Sequence, residues 1–145
     1  MEKDQQQLLA WYQSLKQTMP WRKTKDPYKI WISEIMLQQT QVNTAKNYYN
    51  NWIKKLPTVR HVAKSNIDDL LKLWEGLGYY KRVHHIHKTS KMIMNQHNGF
   101  LPSTYDELVK LKGIGDYTAS AILSIAFNKQ YPAIDSNVKR LISRM

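Results

Sequence analysis

The stretch LKGIGDYTASAILSIAF, residues 111–127, holds the most specific local pattern in the chain. Two glycines one residue apart, Gly113 and Gly115, stand between two segments with helical periodicity, so a tight hairpin is predicted there. The helix after the hairpin directs its first free N–H groups and its positive dipole end at the turn, which suits a bound phosphate. An ordinary helix–turn–helix corner would have the same pattern. Asp116 is ambiguous, because it can cap the helix or place a carboxylate where a phosphate prefers a cation.

On both sides of this hairpin, the rest of the chain also has the pattern of helices separated by turns. Glycines and prolines fall almost entirely between segments whose apolar residues recur at i, i+3, i+4 and i+7. We predict helices near 4–18, 28–40, 42–55, 66–75, 80–97, 104–111, 116–127 and 136–145. No run alternates with the period of two that marks a half-buried strand, so the predicted fold class is all-α.

The chain is strongly basic and contains no cysteine. Its 145 residues include 22 Lys and Arg against 11 Asp and Glu, for a formal net charge of +11 and a pI of about 9.8. That balance favours a polyanionic partner, most simply nucleic acid. The absence of Cys excludes disulfides, thiolate metal ligands and a thiol nucleophile from these residues. No apolar run approaches the ~20 residues that span a bilayer, and the N-terminus does not have the pattern of a signal peptide, so we expect a soluble protein that is not exported.

Two carboxylates have surroundings that suit glycosidic chemistry. Glu34 lies in the apolar segment PYKIWISEIMLQQT, residues 27–40, where burial would raise its pKa and let it hold a proton near neutral pH. Asp135 precedes the last predicted helix, where N-capping is its commonest role. One protonated acid and one negative charge are also what cleavage of a glycosidic bond requires. A solvated Glu at a helix edge and a simple helix cap are the alternative interpretations.

Two turn segments combine polar, aromatic and basic residues. The first is Gln38-Gln39-Thr40 at the end of a predicted helix, and the second is GLGYYKR, residues 76–82. Tyrosine beside flexible backbone and two cations is suited to stacking on bases while the cations meet phosphates, although a core tyrosine beside a turn has the same pattern. The next helix carries a histidine cluster at residues 84, 85 and 87. Its spacing allows at most one facing pair, so we predict a solvated face and no metal site.

Six motifs in order carry a resemblance to a known family. They are MPWR (19–22), DPYKIWISEIMLQQTQV (26–42), LPTV (56–59), LWEGLGYYKR (73–82), LKGIGDYTASAILSIAF (111–127) and PAIDSNVKR (132–140). Over roughly residues 5–145 the chain resembles the endonuclease III-like superfamily of helix-hairpin-helix DNA glycosylases, and within it the bacterial adenine glycosylases. The resemblance implies a six-helix barrel over residues 22–132, with the helix-hairpin-helix motif near 104–127. It also implies that residues 1–21 belong to an incomplete second domain and that residues 133–145 begin the helix that carries the catalytic Asp.

The resemblance also implies roles for individual residues. Glu34 matches the family's catalytic Glu, expected to protonate adenine N7 and to help position or activate the nucleophile, and Asp135 matches the catalytic Asp that stabilises an oxocarbenium ion at C1′. Tyr117 stands where bifunctional relatives have a Schiff-base Lys, which implies a monofunctional enzyme. Gln39 and Tyr79 match residues that wedge into the duplex around the oxidised guanine. The remaining implied sites are DNA contacts at Gln38, Arg82, Gly113 and Gly115, an adenine pocket of Trp21, Arg22 and Leu37, and a supporting Asn137.

The implied activity is base excision from double-stranded DNA that contains an A·G or A·8-oxoguanine mispair, in the bacterial cytoplasm at the nucleoid. No membrane partner is expected, and base flipping is a physical requirement. No cofactor is expected within these residues, because the family's [4Fe–4S] cluster is held by a later four-cysteine loop. We therefore expect the chain to be an N-terminal catalytic fragment. Two alternatives remain: a thymine glycosylase of the same superfamily that acts on G·T mismatches, against which Gln38-Gln39-Thr40 argues, and a helix-hairpin-helix binding module without catalysis.

Overall fold

A computed structural model describes residues 2–14 and 19–145, and within those ranges the regular elements are all helical. The helices are α1 (Glu2–Ser14), α2 (Pro27–Leu37), α3 (Val42–Lys55), α4 (Val59–Lys64), α5 (Ile67–Trp74), α6 (Lys81–Gln96), α7 (Tyr105–Val109), α8 (Asp116–Ile125) and α9 (Ser136–Ile142). A 3₁₀ turn over Pro20–Lys23 precedes α2. The predicted all-α fold class is confirmed.

Helix α2 lies at the centre of the fold. The Asp26 side chain caps it by accepting from the Tyr28 N–H at 3.0 Å, and Pro27 occupies the first turn, where its missing N–H costs nothing. Seven of its eleven residues are buried, namely Tyr28, Ile30, Trp31, Ile32, Ser33, Ile35 and Met36. A helix that is apolar on most of its faces has to be enclosed by other elements. Helices α3 and α8 and the 3₁₀ turn pack directly against it.

The other helices close around this centre. Helix α6 packs against α4 and α5, α5 also contacts α3, and α7 and α8 form the two arms of the hairpin. The predicted six-helix barrel with a helix-hairpin-helix motif is confirmed. Helices α1 and α9 have no buried residues, and both expose large apolar side chains. None of the helices in the described ranges is both long and apolar enough to cross a bilayer.

The structure differs from the predicted elements in two main places. Helix α4 was not predicted, because it has only six residues and buries only Val59 and Val62, too few to establish a period. Helix α2 ends at Leu37 rather than near residue 40, since Gln38 is extended (ψ 116°) and Gln39 has a left-handed φ of 55°. The helix predicted near 4–18 is helical over its described part, and residues 15–18 lie outside the described ranges.

A buried hydrogen-bond chain joins α2 to α3. The Tyr28 hydroxyl accepts from Trp52 Nε1 at 3.1 Å and donates to the Leu56 carbonyl at 2.6 Å. The Trp52 ring also meets Trp74 of α5 edge-to-face, with centroids 5.7 Å apart. Because Tyr28 is 4% exposed, both of its partners would lose their bonds away from water if the hydroxyl were removed.

We therefore expect Tyr28→Phe to lower the free energy of unfolding by about 1–3 kcal/mol, the cost of leaving buried polar groups unpaired. Urea titration followed by tryptophan fluorescence would measure it. Tyr48→Phe is the matched control, because the Tyr48 hydroxyl makes a similar 2.6 Å bond to the Glu75 carbonyl at the solvent-exposed surface. Equal losses in the two variants would contradict the role of burial.

Candidate active site

One cleft collects most of the residues that the sequence singled out. It lies where the end of α2, the start of α8 and the segment before α9 meet, and its volume is about 560 Å³. Its lining consists of Arg22, Glu34, Leu37, Gln38, Gln39, Thr40, Val42, Tyr117, Asp135, Ser136 and Asn137. The two candidate carboxylates, which are distant in sequence, thus face the same space. Thr40, Val42 and Ser136 also line it although nothing in the sequence assigned them to an active site.

Glu34 is the partly buried acid of this cleft. Burial raises the pKa of its carboxyl, and the nearby Arg22 guanidinium and Tyr117 hydroxyl offset only part of that rise. The expectation from the apolar neighbours of Glu34 is therefore confirmed. A carboxyl with a raised pKa retains its proton at a higher pH than a solvated Glu, which suits it to act as a general acid.

Tyr117 lies beside both carboxyls at the first turn of α8. Burial raises the pKa of its phenol to about 12, and the neighbouring charges of Glu34 and Asp135 add to the effect. The side chain is therefore a neutral phenol at physiological pH. It can donate a hydrogen bond, but it cannot form the imine that an amine would form at this position.

Asp135 is the N-cap of α9. Its Oδ1 accepts from the Val138 N–H at 2.8 Å, which fixes the orientation of the carboxylate at the cleft wall. Asp135 thus caps α9 and lines the cleft at the same time. A carboxylate at a helix N-terminus is also stabilised by the partial positive charge there.

Of the remaining residues that the sequence predicted for this site, some line the cleft and one does not. Arg22, Leu37 and Asn137 line the cleft. Trp21 is not part of the lining; it is 4% exposed and meets Tyr49 edge-to-face with ring centroids 5.3 Å apart. Gln38 lines the cleft and donates from Nε2 to Thr118 Oγ1 at 3.3 Å, which ties the end of α2 to α8.

A second, more basic pocket of about 310 Å³ adjoins the cleft. Its lining is Gln38, Gln39, Tyr79, Lys81, Arg82 and His85, so Gln38 and Gln39 belong to both spaces. Lys81 is one of the two cations that the sequence predicted to meet phosphates, whereas His85 was not predicted as a DNA-binding residue; their i, i+4 spacing on α6 places them on one face. Burial lowers the pKa of His85, and the nearby Lys112, Lys81 and Lys88 lower it further. Lys81 and the other nearby lysines give this pocket a positive potential that favours an anion.

The predicted hairpin has the expected geometry. Gly113 has φ +82°, and a Cβ placed there would come within 2.9 Å of the His85 Cβ. Gly115 is the N-cap of α8, its φ is negative, and a Cβ there would meet nothing within 4 Å. Asp116 therefore does not cap the helix; its Oδ1 accepts from the Tyr105 hydroxyl at 2.7 Å. Gly113 has an internal packing role, while Gly115 faces open space at a helix N-terminus.

In residues 2–14 and 19–145, no three His, Asp or Glu side chains come together in a way that could hold a metal ion. The [4Fe–4S] cluster that the resemblance implies needs four cysteines, and the chain has none. The residues present therefore do not fit such a cluster.

Comparison with known proteins identifies the family. Residues 32–145 match the family described as HhH-GPD superfamily base excision DNA repair protein. Because the match covers more than half of the chain, the protein belongs to this family. An adenine DNA glycosylase of Buchnera aphidicola (subsp. Baizongia pistaciae) is 48% identical over 140 residues, which cover 96% of this chain and 40% of that relative. Human adenine DNA glycosylase is 39% identical, over 95% of this chain and 27% of the human protein. The chain therefore spans 40% or less of the length of these two relatives.

Solved structures agree with the family. A thermostable thymine-DNA glycosylase superimposes with a TM-score of 0.87 at 27% identity, over 92% of this chain and 62% of that one. An endonuclease III–DNA complex superimposes with a TM-score of 0.75 at 26% identity, over 80% of this chain and 55% of that one.

An added methyl group is expected to reduce mainly stability at Gly113 and mainly duplex binding at Gly115. Gly113→Ala should lower the free energy of unfolding by about 1–3 kcal/mol, because alanine is strained at positive φ and its Cβ would press on His85. Gly115→Ala should cost less, about 0.5–1 kcal/mol as a poorer N-cap, yet weaken duplex binding, because its Cβ would point into the space that a phosphate would occupy. Thermal unfolding and fluorescence anisotropy with a labelled duplex would separate the two, and a larger stability loss for Gly115→Ala would contradict the assignment.

The raised pKa of Glu34 predicts a pH-dependent effect on stability. The folded protein holds the Glu34 proton more tightly than the unfolded chain, so the stability that this group contributes is complete below about pH 4 and is lost as pH rises through the folded pKa. We therefore expect Glu34→Gln to raise the melting temperature by a few degrees at pH 7.5 and by much less at pH 4. Glu75→Gln, on the exposed surface, is the control and should change little at either pH. A Glu34→Gln variant that melts below the parent at pH 7.5 would show that the carboxylate is stabilising instead.

Proposed function

We propose that this chain is the catalytic part of a monofunctional DNA glycosylase that hydrolyses the N-glycosidic bond of adenine paired with guanine or 8-oxoguanine. The observation that carries the proposal is the meeting of Glu34, Asp135 and Tyr117 in one cleft of about 560 Å³. That volume lies within the range of small-ligand sites, so a single extruded base has room to enter. The cleft also adjoins a basic pocket that suits the phosphates on either side of the base.

In the proposed reaction Glu34 is the general acid. The C1′–N9 bond breaks, its electron pair passes to the adenine ring, and N7 takes the proton of Glu34. The raised pKa of this carboxyl supports the role, because a solvated Glu would be almost wholly ionised at neutral pH. The Asp135 carboxylate stabilises the positive charge that develops on the sugar. Water then adds at C1′ and gives its proton to the ionised Glu34, which leaves free adenine and an abasic site.

Tyr117 supports hydrolysis without strand cleavage. Cleavage by β-elimination starts from an imine between an amine and C1′. Tyr117 carries a phenol, not an amine, and with a pKa of about 12 that phenol is neutral. Among the described residues that line the cleft there is no lysine. We therefore propose that the abasic site remains unbroken and that Tyr117 helps to orient Glu34.

Duplex binding is assigned to the hairpin and the adjoining pocket. Gly115 opens the N-terminus of α8 to solvent, where a backbone phosphate would find free N–H groups. Gln39 and Tyr79 are proposed to enter the duplex around the base opposite the adenine. Arg22 and Leu37 are proposed to line the adenine pocket, with Trp21 supporting them. The excess of basic residues over the chain adds a salt-dependent attraction to DNA.

Adenine is favoured over thymine by the comparisons. Relatives named adenine DNA glycosylases are 48% and 39% identical to the chain, whereas the thymine-DNA glycosylase is 27% identical.

A second proposal concerns the rest of the protein: α1 and α9 belong to a domain completed by further sequence, which also supplies the cysteines of a [4Fe–4S] cluster. The exposed Leu8, Trp11, Leu141 and Ile142 support it, since they offer apolar surface for such a domain. The proposed location is the bacterial cytoplasm at the nucleoid, and a fluorescent fusion that does not overlap with DNA would contradict it.

Single-turnover excision tests the proposed activity. The complete product of the gene and the 145-residue chain would be incubated with duplexes that contain A·8-oxoguanine, A·G, T·G or A·T. We expect release of adenine from the first two, and strand breaks only after treatment with alkali. Glu34→Gln should slow release at least ~100-fold, because it removes a general acid, while the duplex Kd changes less than about twofold.

Matched variants and outcomes separate the competing interpretations. Tyr117→Phe keeps the ring but removes the hydroxyl, and we expect a smaller loss of rate than for Glu34→Gln. Equal rates in the parent and Glu34→Gln would remove Glu34 from the mechanism. Release from T·G alone would favour the thymine alternative, and tight duplex binding without release from any substrate would favour the binding module.

A further inference from the structure

Arg82 is turned into the protein at the start of α6. Its Nη1 donates to the carbonyl oxygens of Ile35 at 2.8 Å, Met36 at 3.3 Å and Gln38 at 2.5 Å. These carbonyls lie at the C-terminal end of α2, where a helix leaves its last acceptors without intrahelical partners. The cation also offsets the partial negative charge of that helix end. Arg82 thus terminates and caps α2 from a distant part of the chain.

The same guanidinium also holds the loop that precedes α6. Its Nη2 donates to the Gly78 carbonyl at 3.2 Å and to Thr40 Oγ1 at 3.4 Å, and Nε donates to the Tyr79 carbonyl at 3.4 Å. The group lies over the Trp74 ring at 5.1 Å and near the Tyr79 ring at 5.5 Å. Each of its three nitrogens therefore donates within the protein. An arginine whose N–H groups are used in this way has few free donors for a phosphate.

The two loops that Arg82 joins carry the two projecting side chains of the basic pocket. Gln39 has φ 55° and Tyr79 has φ 48°, although neither is a glycine. Left-handed backbone in such residues costs of order 1 kcal/mol or more each and persists where the surroundings impose it. Both side chains are exposed, and the Tyr79 side chain is 61% exposed. The backbone is thus held in a strained conformation that presents two side chains to solvent on either side of one pocket.

We propose that Arg82 is a positioning residue that sets the separation of Gln39 and Tyr79, so that both side chains enter the same duplex. It would act through these two residues and not by contact with a phosphate. The inference rests on the proposed function in one respect, because it takes DNA as the partner of this pocket. Lysine cannot replace Arg82, since a single ammonium nitrogen cannot bridge three carbonyls of one loop and two of the other.

Base unstacking tests the proposal directly. A duplex with 2-aminopurine next to the 8-oxoguanine would be titrated with the complete protein, and its fluorescence would report the insertion of a side chain. Arg82→Lys should reduce the fluorescence gain at saturation several-fold, to the level of a Gln39→Ala/Tyr79→Ala double variant. The slope of log K against log salt should stay that of the parent. Lys81→Ala, a change of the neighbouring exposed cation, should lower that slope by about 0.9 and keep the fluorescence gain.

A phosphate contact predicts the opposite pattern. Arg82→Lys would then behave like the parent, and Arg82→Gln would lower the salt slope by about 0.9 with unstacking intact. That result would overturn the proposal. A parent chain that binds the duplex without unstacking would also overturn it, whatever the outcome of the excision assay. Conversely, normal unstacking without excision would leave the positioning role in place and count only against the glycosylase.

A double-mutant cycle separates positioning from general support of the fold. Arg82→Lys would be combined with Gln39→Ala/Tyr79→Ala, and duplex affinity measured for all four proteins. If Arg82 acts through the two side chains, its substitution should cost no further affinity once they are absent. An equal loss in both backgrounds, or failure of both the Lys and Gln variants to fold, would make Arg82 a residue of the fold as a whole and refute the proposal.

Discussion

The burial of α2 is the constraint on which the rest of the structure depends. An eleven-residue helix with apolar side chains on most of its faces is stable in water only when other helices enclose it, and α3, α8 and the 3₁₀ turn do so. Each large apolar side chain that becomes buried contributes about 1.5–3 kcal/mol, and α2 buries six of them besides Ser33. That gain outweighs the cost of carrying one partly desolvated carboxyl, Glu34, into the same environment. The fold therefore holds Glu34 in surroundings that disfavour its ionised form, which is why its pKa is raised.

The end of α2 matters as much as its burial. Where the helix stops, its last carbonyl groups need donors, and the Arg82 guanidinium reaches them from α6. The backbone then turns through the left-handed Gln39, and Gln38 and Gln39 line both the candidate cleft and the basic pocket. One helix thus carries Glu34, the proposed proton donor, along its length and the proposed DNA-facing loop at its end.

The electrostatics of the cleft arise from groups that three different elements bring together. Glu34 comes from α2, Tyr117 from α8 and Asp135 from the segment before α9. The two carboxyls help to raise the pKa of Tyr117, and the Tyr117 hydroxyl and Arg22 moderate the rise in the pKa of Glu34. The protonation of Glu34 and that of Tyr117 therefore depend on each other.

The local sequence was sufficient to predict the features that depend on residues close together in the chain. Apolar periodicity located most of the helices, the two glycines predicted the hairpin, and the residues around Glu34 indicated that its pKa would rise, because turn geometry and helix faces are set within a few residues. Only the tertiary structure decided where α2 ends, that α4 is a helix and that Trp21 packs on Tyr49 outside the cleft lining. It also decided that Arg82 points inward while His85 lines the basic pocket. Those features depend on donors, acceptors and charges supplied by residues far away in the chain, and the local pattern contains no information about which distant groups will meet.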